Sequence, residues 1–362
     1  MNDDYLIKDP RPLEEFKDKT FSGFKKKDVY QKLFKSIETT KIEEACYWCT
    51  ECIISGYSQE LFEKCIYFAS KIIHINNPKL PQFIWKKYKT FLNSFNHIGK
   101  KEKDKLIHLR NTQSVRNSLC DLITTLCISS KTRKFDKYPK VNDNDFQYQN
   151  IQNKLNATMQ ILPSTILKFT DPDELKIILN EFYFHLKNVN GGYEKACYWV
   201  VWLIHWEKIN KKKKVKFEIE SRNIDQVHPK YCKDPIWLLW EIIIHESNQR
   251  NEDIQTQIKN LFMLFRHEYT SGKRNNKLAL LYHSIGYLTF PVKFNIAIRR
   301  DKNIYLQTQC NINIMFKNKK SHEIKEYTAP PQKINKNKNI NLNKEIDVSK
   351  FNSLIDIDEL TR

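Results

Sequence analysis

Glu43-Glu44-Ala45-Cys46-Tyr47-Trp48 recurs 151 residues later as Glu194-Lys195-Ala196-Cys197-Tyr198-Trp199, with five of the six positions identical. The flanks of the two copies agree in kind. Val29, Leu33, Phe34 and Ile37 precede the first copy, and Leu175, Ile178, Leu179, Phe182 and Leu186 precede the second. Both sets have apolar residues three and four apart, the spacing of one helix face. Apolar segments at 61–73, 83–95 and 115–128 follow the first copy, and segments at 236–245, 258–265 and 278–288 follow the second. Each side reads as about five helices in one order, the pattern of a duplicated helical module. The expected fold class is all-α: two related multi-helix modules packed together.

Local punctuation supports helices and sets the boundaries. Asp171-Pro172-Asp173-Glu174 and Asp234-Pro235 have the form of helix starts, with a capping carboxylate before a proline at the first helical position. Gly191-Gly192 and Asn76-Asn77-Pro78 separate helical patterns. The modules are expected at 21–135 and 171–290, with an N-terminal arm at 1–20 and a connector at 136–170. A flexible, basic, Lys/Asn-rich tail is expected at 291–362. Within it, Val292, Phe294, Ile296 and Ile298 alternate, as do residues 311–316, which suggests a short hairpin at 291–316.

The chain has 362 residues, of which 7 are glycine, and a formal net charge of +19. So few glycines argue against folds built on glycine turns, such as a dinucleotide-binding sheet. No continuous apolar run is long enough for a membrane span. The polar, acidic stretch at 1–19 has the character of neither a signal nor a transit peptide. The nine cysteines are odd in number and mostly lie in apolar segments, which fits a reducing compartment better than a disulfide framework.

The positive charge is uneven. Residues 21–135 carry 21 basic and 10 acidic residues, a net of +11, against +3 for 171–290 and +6 for 291–362. In the first module it clusters at Lys25, Lys26 and Lys27, at Lys86, Lys87 and Lys89, at Lys100, Lys101, Lys103 and Lys105, and at Lys131, Arg133 and Lys134. The second module has one dense run, Lys211, Lys212, Lys213 and Lys214. Such clusters neutralise phosphates and point to non-specific, salt-sensitive binding of nucleic acid, or to an anionic protein surface. The same charge also reads as a solvated Lys-rich surface of an AT-rich gene, and lysine favours neither base readout nor bidentate phosphate recognition.

Catalytic signals are absent: there is no Gly-rich phosphate loop, nucleophile elbow or His-Glu-x-x-His pattern, and no cofactor is expected. Cys46, Cys49, Cys52 and Cys65 have zinc-like spacing. However, they fall on helical patterns without a glycine knuckle, and Val200 and Leu203 replace Cys49 and Cys52 in the second copy. They therefore read as small core residues. Trp199, Trp202 and Trp206, at i, i+3 and i+7, read as one buried face rather than as base-stacking platforms.

Three stretches carry a resemblance: Phe21-Ser22-Gly23-Phe24-Lys25-Lys26, then Lys41-Ile42-Glu43-Glu44-Ala45-Cys46-Tyr47-Trp48, then residues 73–81 (Ile-His-Ile-Asn-Asn-Pro-Lys-Leu-Pro). Together with Ala196-Cys197-Tyr198-Trp199 and Asp234-Pro235-Ile236-Trp237, they resemble a family of uncharacterised proteins from nucleocytoplasmic large DNA viruses. The resemblance spans about residues 21–290 and implies a giant-virus setting, in the host-cytoplasmic viral factory or the virion, but no catalytic residue. The expected function is a non-enzymatic binding or scaffold protein that uses its basic surface on nucleic acid during replication, expression or packaging. The alternative is a virion structural protein, a minor capsid or internal scaffold component, without nucleic-acid binding.

Overall fold

The computed structural model describes residues 3–99, 104–135, 138–215, 219–299 and 301–328. Thirteen α-helices form among them and no sheet; the one β-type pairing is an isolated bridge between Lys19 and Lys25. The first half holds α1 (Lys26–Glu38), α2 (Ile42–Ile54), α3 (Ser58–Phe68), α4 (Leu80–His97), α5 (Lys105–Leu109) and α6 (Gln113–Ile128). After α7 (Tyr148–Gln152) come α8 (Leu175–Lys187), α9 (Tyr193–Lys212), α10 (Ile236–Ser247), α11 (Glu252–Arg266) and α12 (Arg274–Thr289), and then α13 (Lys302–Lys319).

The two echoed hexapeptides lie at the starts of α2 and α9. Each is the second arm of a helical hairpin, α1 on α2 and α8 on α9. In each half a later helix, α6 or α12, packs against both arms and against an earlier long helix, α4 or α11. Burial explains the echo. Ala45, Cys46, Cys49 and Cys52 are sealed into the core of α2, as are Ala196, Cys197, Val200 and Leu203 in α9, all at most 1% exposed. Small side chains on one helical stripe allow close helix approach, so Val and Leu can stand where the cysteines do. The halves meet where α4 packs on α11, and where α12 packs on α3 and on the π-helical turn Ala69–Ile73. No helix of the described residues is long and apolar enough to cross a membrane.

Several expectations need correction. There is no hairpin at 291–316: residues 302–319 form α13, and 291–299 run without regular structure. The apparent alternation hid a helical stripe, because Tyr305, Thr308, Ile312, Phe316 and Lys319 are the buried residues and are spaced by three and four. Asp301 starts the helix by accepting the Asn303 amide at 2.8 Å. α13 packs on α2 and α6, so the part of the tail up to residue 328 belongs to the body; residues 329–362 lie outside the described residues.

The N-terminal arm is also built in. Ile7 and Phe16 are buried, and Asn111 brackets Ile7 with hydrogen bonds to its amide and carbonyl at 3.0 and 2.9 Å. Asp171, read as a helix cap, is turned elsewhere: its carboxylate accepts the amides of Lys168 and Glu220 and the Arg222 guanidinium. Arg222 is almost fully buried, and an ion pair at 2.6 Å outweighs one capping bond there. Asp234 accepts the amide of Ile236, the first residue of α10, at 3.1 Å, although the residue at the cap position itself is Pro235.

Candidate nucleic-acid interface

The lysine clusters fall into two groups, those consumed by internal partners and those facing water. Lys26, at the start of α1, pairs with Glu60 of α3 at 2.6 Å and lies 4.4 Å over the Tyr57 ring. Lys25 and Lys27 beside it are exposed. Arg133 pairs with Glu38 at the far end of α1, Lys131 donates to the Cys127 carbonyl, and Lys134 lies 4.2 Å over the Phe290 ring. The first and last clusters of this half thus sit at opposite ends of α1, roughly 18 Å apart at 1.5 Å per residue. They do not converge.

Lys87 is half-buried and donates to Asp121 of α6 at 2.5 Å, while Ser94 meets Ser114 at 3.2 Å, so α4 and α6 run antiparallel. Lys105 turns back to the Ile98 carbonyl at 3.1 Å and covers the Phe95 ring. Lys100, Lys101 and Lys103 lie outside the described residues. In the second half Lys211 pairs with Glu207 at 2.6 Å, and Lys212, Lys213 and Lys214 are exposed at the end of α9.

What the clusters share with no sequence motif is the solvent face of α4. Gln82, Lys86, Lys89, Asn93, Asn96 and His97 are all exposed, and a period of 3.6 places them within about 60° of one line along the helix. α4 contains no Asp or Glu. Lys89 lies 5.9 Å over the half-buried Trp85 ring. The face is therefore an acid-free ridge, roughly 16 Å from Lys86 to His97, bearing ammonium, carboxamide and imidazole donors. Sequence reading isolated its lysines but missed Asn93, Asn96 and His97; the absence of acids from residues 80–97 was the available signal.

The other candidate groups are structural. Cys46, Cys49, Cys52 and Cys65 are at most 1% exposed, and burial pushes the Cys49 and Cys65 thiols up, away from the thiolate that metals bind. No group of three or more ligating side chains occurs among the described residues. Trp199 and Trp202 are buried but Trp206 only partly so, and the Trp202 ring lies 4.7 Å from that of Phe146, tilted by 33°.

The echoed tyrosines are handled alike. Lys319 of α13 lies 4.0 Å over Tyr47, and Lys154 of the connector lies 4.3 Å over Tyr198. Beside Tyr47, Lys319 also pairs with Glu51; beside Tyr198, the Tyr198 hydroxyl donates to Asp145 and the Trp202 Nε1–H to the Asp145 carbonyl. A shallow cleft of about 270 Å³ is lined by Arg222, Asn223, Ile224 and Cys232 among others, and its guanidinium is committed to Asp171 and Glu241. No protein-family model, curated protein or solved structure matches this chain.

Proposed function

We propose that the chain is a non-enzymatic helical binding protein that holds nucleic acid through phosphate contacts along α4. The supporting observation is the acid-free ridge of Lys86, Lys89, Asn93, Asn96 and His97 on an exposed helix face. Lysines spaced along a rigid helix neutralise phosphates without reading bases, so binding is sequence-tolerant and released by salt. Carboxamides and imidazole add neutral donors to the same backbone oxygens.

The test separates exposed from committed lysines. Full-length protein is expected to bind duplex and single-stranded oligonucleotides, with affinity falling steeply between about 50 and 200 mM salt. The double reversal Lys86→Glu with Lys89→Glu should weaken binding at least tenfold and reduce the salt slope by about two, with thermal stability unchanged. Lys87→Met should do the opposite, lowering stability while leaving affinity nearly intact. No binding at 50 mM salt, or equal binding by the double reversal, overturns the proposal.

A further inference from the structure

α13 carries two faces. Tyr305, Thr308, Ile312 and Phe316 bury themselves on α2 and α6, and Arg116 lies 3.6 Å over the Phe316 ring. On the opposite face Leu306 is 61% exposed and Ile314 54%, with the exposed Cys310 between them. At 100° per residue these three form an i, i+4, i+8 row centred on Cys310, an apolar ridge with no partner among the described residues. Asn303 and Lys317 flank the row at its two ends, both exposed; Lys317 reaches Asp4 only across 3.8 Å at the surface.

We infer that this ridge is a dimer contact, and that its occupant is α13 of a second copy of the chain. The argument is self-complementarity. A two-fold axis beside Cys310 sets two α13 helices nearly antiparallel, at the shallow crossing of about 20° found between bundle helices. Leu306 then falls opposite Ile314 of the second copy, and Cys310 opposite its own counterpart. Lys317 falls opposite Asn303, and Lys302 opposite Asn318. Each lysine meets a carboxamide, and none meets another lysine or an apolar residue. A parallel pairing lacks this match, because it sets Lys302 on Lys302 and Lys317 on Lys317. The surface removed from water is on the order of a few hundred Å², below the roughly 1,000 Å² of a permanent interface, so the dimer is weak and exchanges rapidly.

Cys310 makes the contact measurable, because the other eight cysteines are buried. Full-length reduced protein is expected to show a concentration-dependent rise toward dimer mass in sedimentation equilibrium, with a Kd on the order of 10–100 µM. A short bismaleimide should give a dimer band, lost in Cys310→Ser, whose sedimentation still shows the dimer. Leu306→Asp with Ile314→Asp should remain monomeric and lose the cross-link, while Cys310 still reacts fully with a simple maleimide. The inference is overturned by a wild type that stays monomeric at about 300 µM, or by aspartate variants that dimerise as well as wild type. A Cys310 that resists simple maleimide in the monomer also overturns it, because another segment of the same chain then covers the ridge.

Discussion

His74 holds a positive φ of 52°, a conformation that costs a non-glycine residue about 1 kcal/mol or more. Its ring stacks 3.7 Å from Phe135 and lies 4.4 Å from His283 of α12, at the contact between the halves. Gly286 permits this: a Cβ there would stand 2.2 Å from the His74 ring. Both histidines are about 1% exposed; burial lowers the His74 pKa, His283 adds to that, and burial pushes His283 down to about 3. A histidine depressed in the fold is neutral there while its unfolded counterpart titrates near 6.5, so its stabilisation is complete above that pH and is lost below it. Unfolding free energies from urea titrations should therefore fall between pH 7 and pH 5, by about 2 kcal/mol per histidine. His283→Phe, which keeps an aromatic ring without the titrating group, should remove one histidine's share of that slope; an unchanged slope contradicts the assignment. Gly286→Ala should destabilise at every pH.

At the scale of elements, α13 is attached through two buried carboxylates that no sequence motif marks. Glu51 on α2 accepts the Ser22 amide and hydroxyl, each at 2.8 Å, and the Lys319 ammonium. Burial raises its carboxyl pKa, but the lysine and the hydrogen bonds outweigh that and hold it below the usual range. Asp121 on α6 accepts Lys87 of α4, Gln309 of α13 and Arg299 just before α13. The two sites tie α13 near both ends of its buried face. Glu51→Gln leaves the Lys319 ammonium buried without a counter-charge, a loss of about 3–5 kcal/mol. Glu51→Gln with Lys319→Met should recover much of it, and a double-mutant cycle read by urea denaturation should show strong coupling. Additive losses would show that Lys319 does not depend on Glu51. Pro235, Gly192 and the helical stripes were legible because they act within a few residues. The α13 stripe was misread because Asn and Ile alternate along 311–314, and only burial against α6 shows which residues face inward.

At the scale of the whole molecule, the halves are interlocked rather than merely adjacent. The connector after the first half lays Asp145, Phe146 and Lys154 on α9 of the second, while α13, after the second half, lays Lys319 on α2 of the first. Unfolding one half removes cover from the other, so calorimetry and far-ultraviolet dichroism should report one cooperative transition with coincident midpoints; two separated transitions would refute the interlock. Sequence alone determined the all-α class, the main helices up to α12, the burial of Cys46, Cys49, Cys52 and Cys65 and of Trp199 and Trp202, and the uneven charge. These follow from local periodicity and composition, since a helix's apolar stripe must be buried whatever it meets. Only the tertiary structure decided which basic side chains are spent on the distant carboxylates Glu60, Asp121 and Glu38 and which face water on α4. Only it showed that the arm and the start of the tail belong to the core. Ion pairs and the docking of end segments join residues tens to hundreds of positions apart, and no local pattern encodes such meetings.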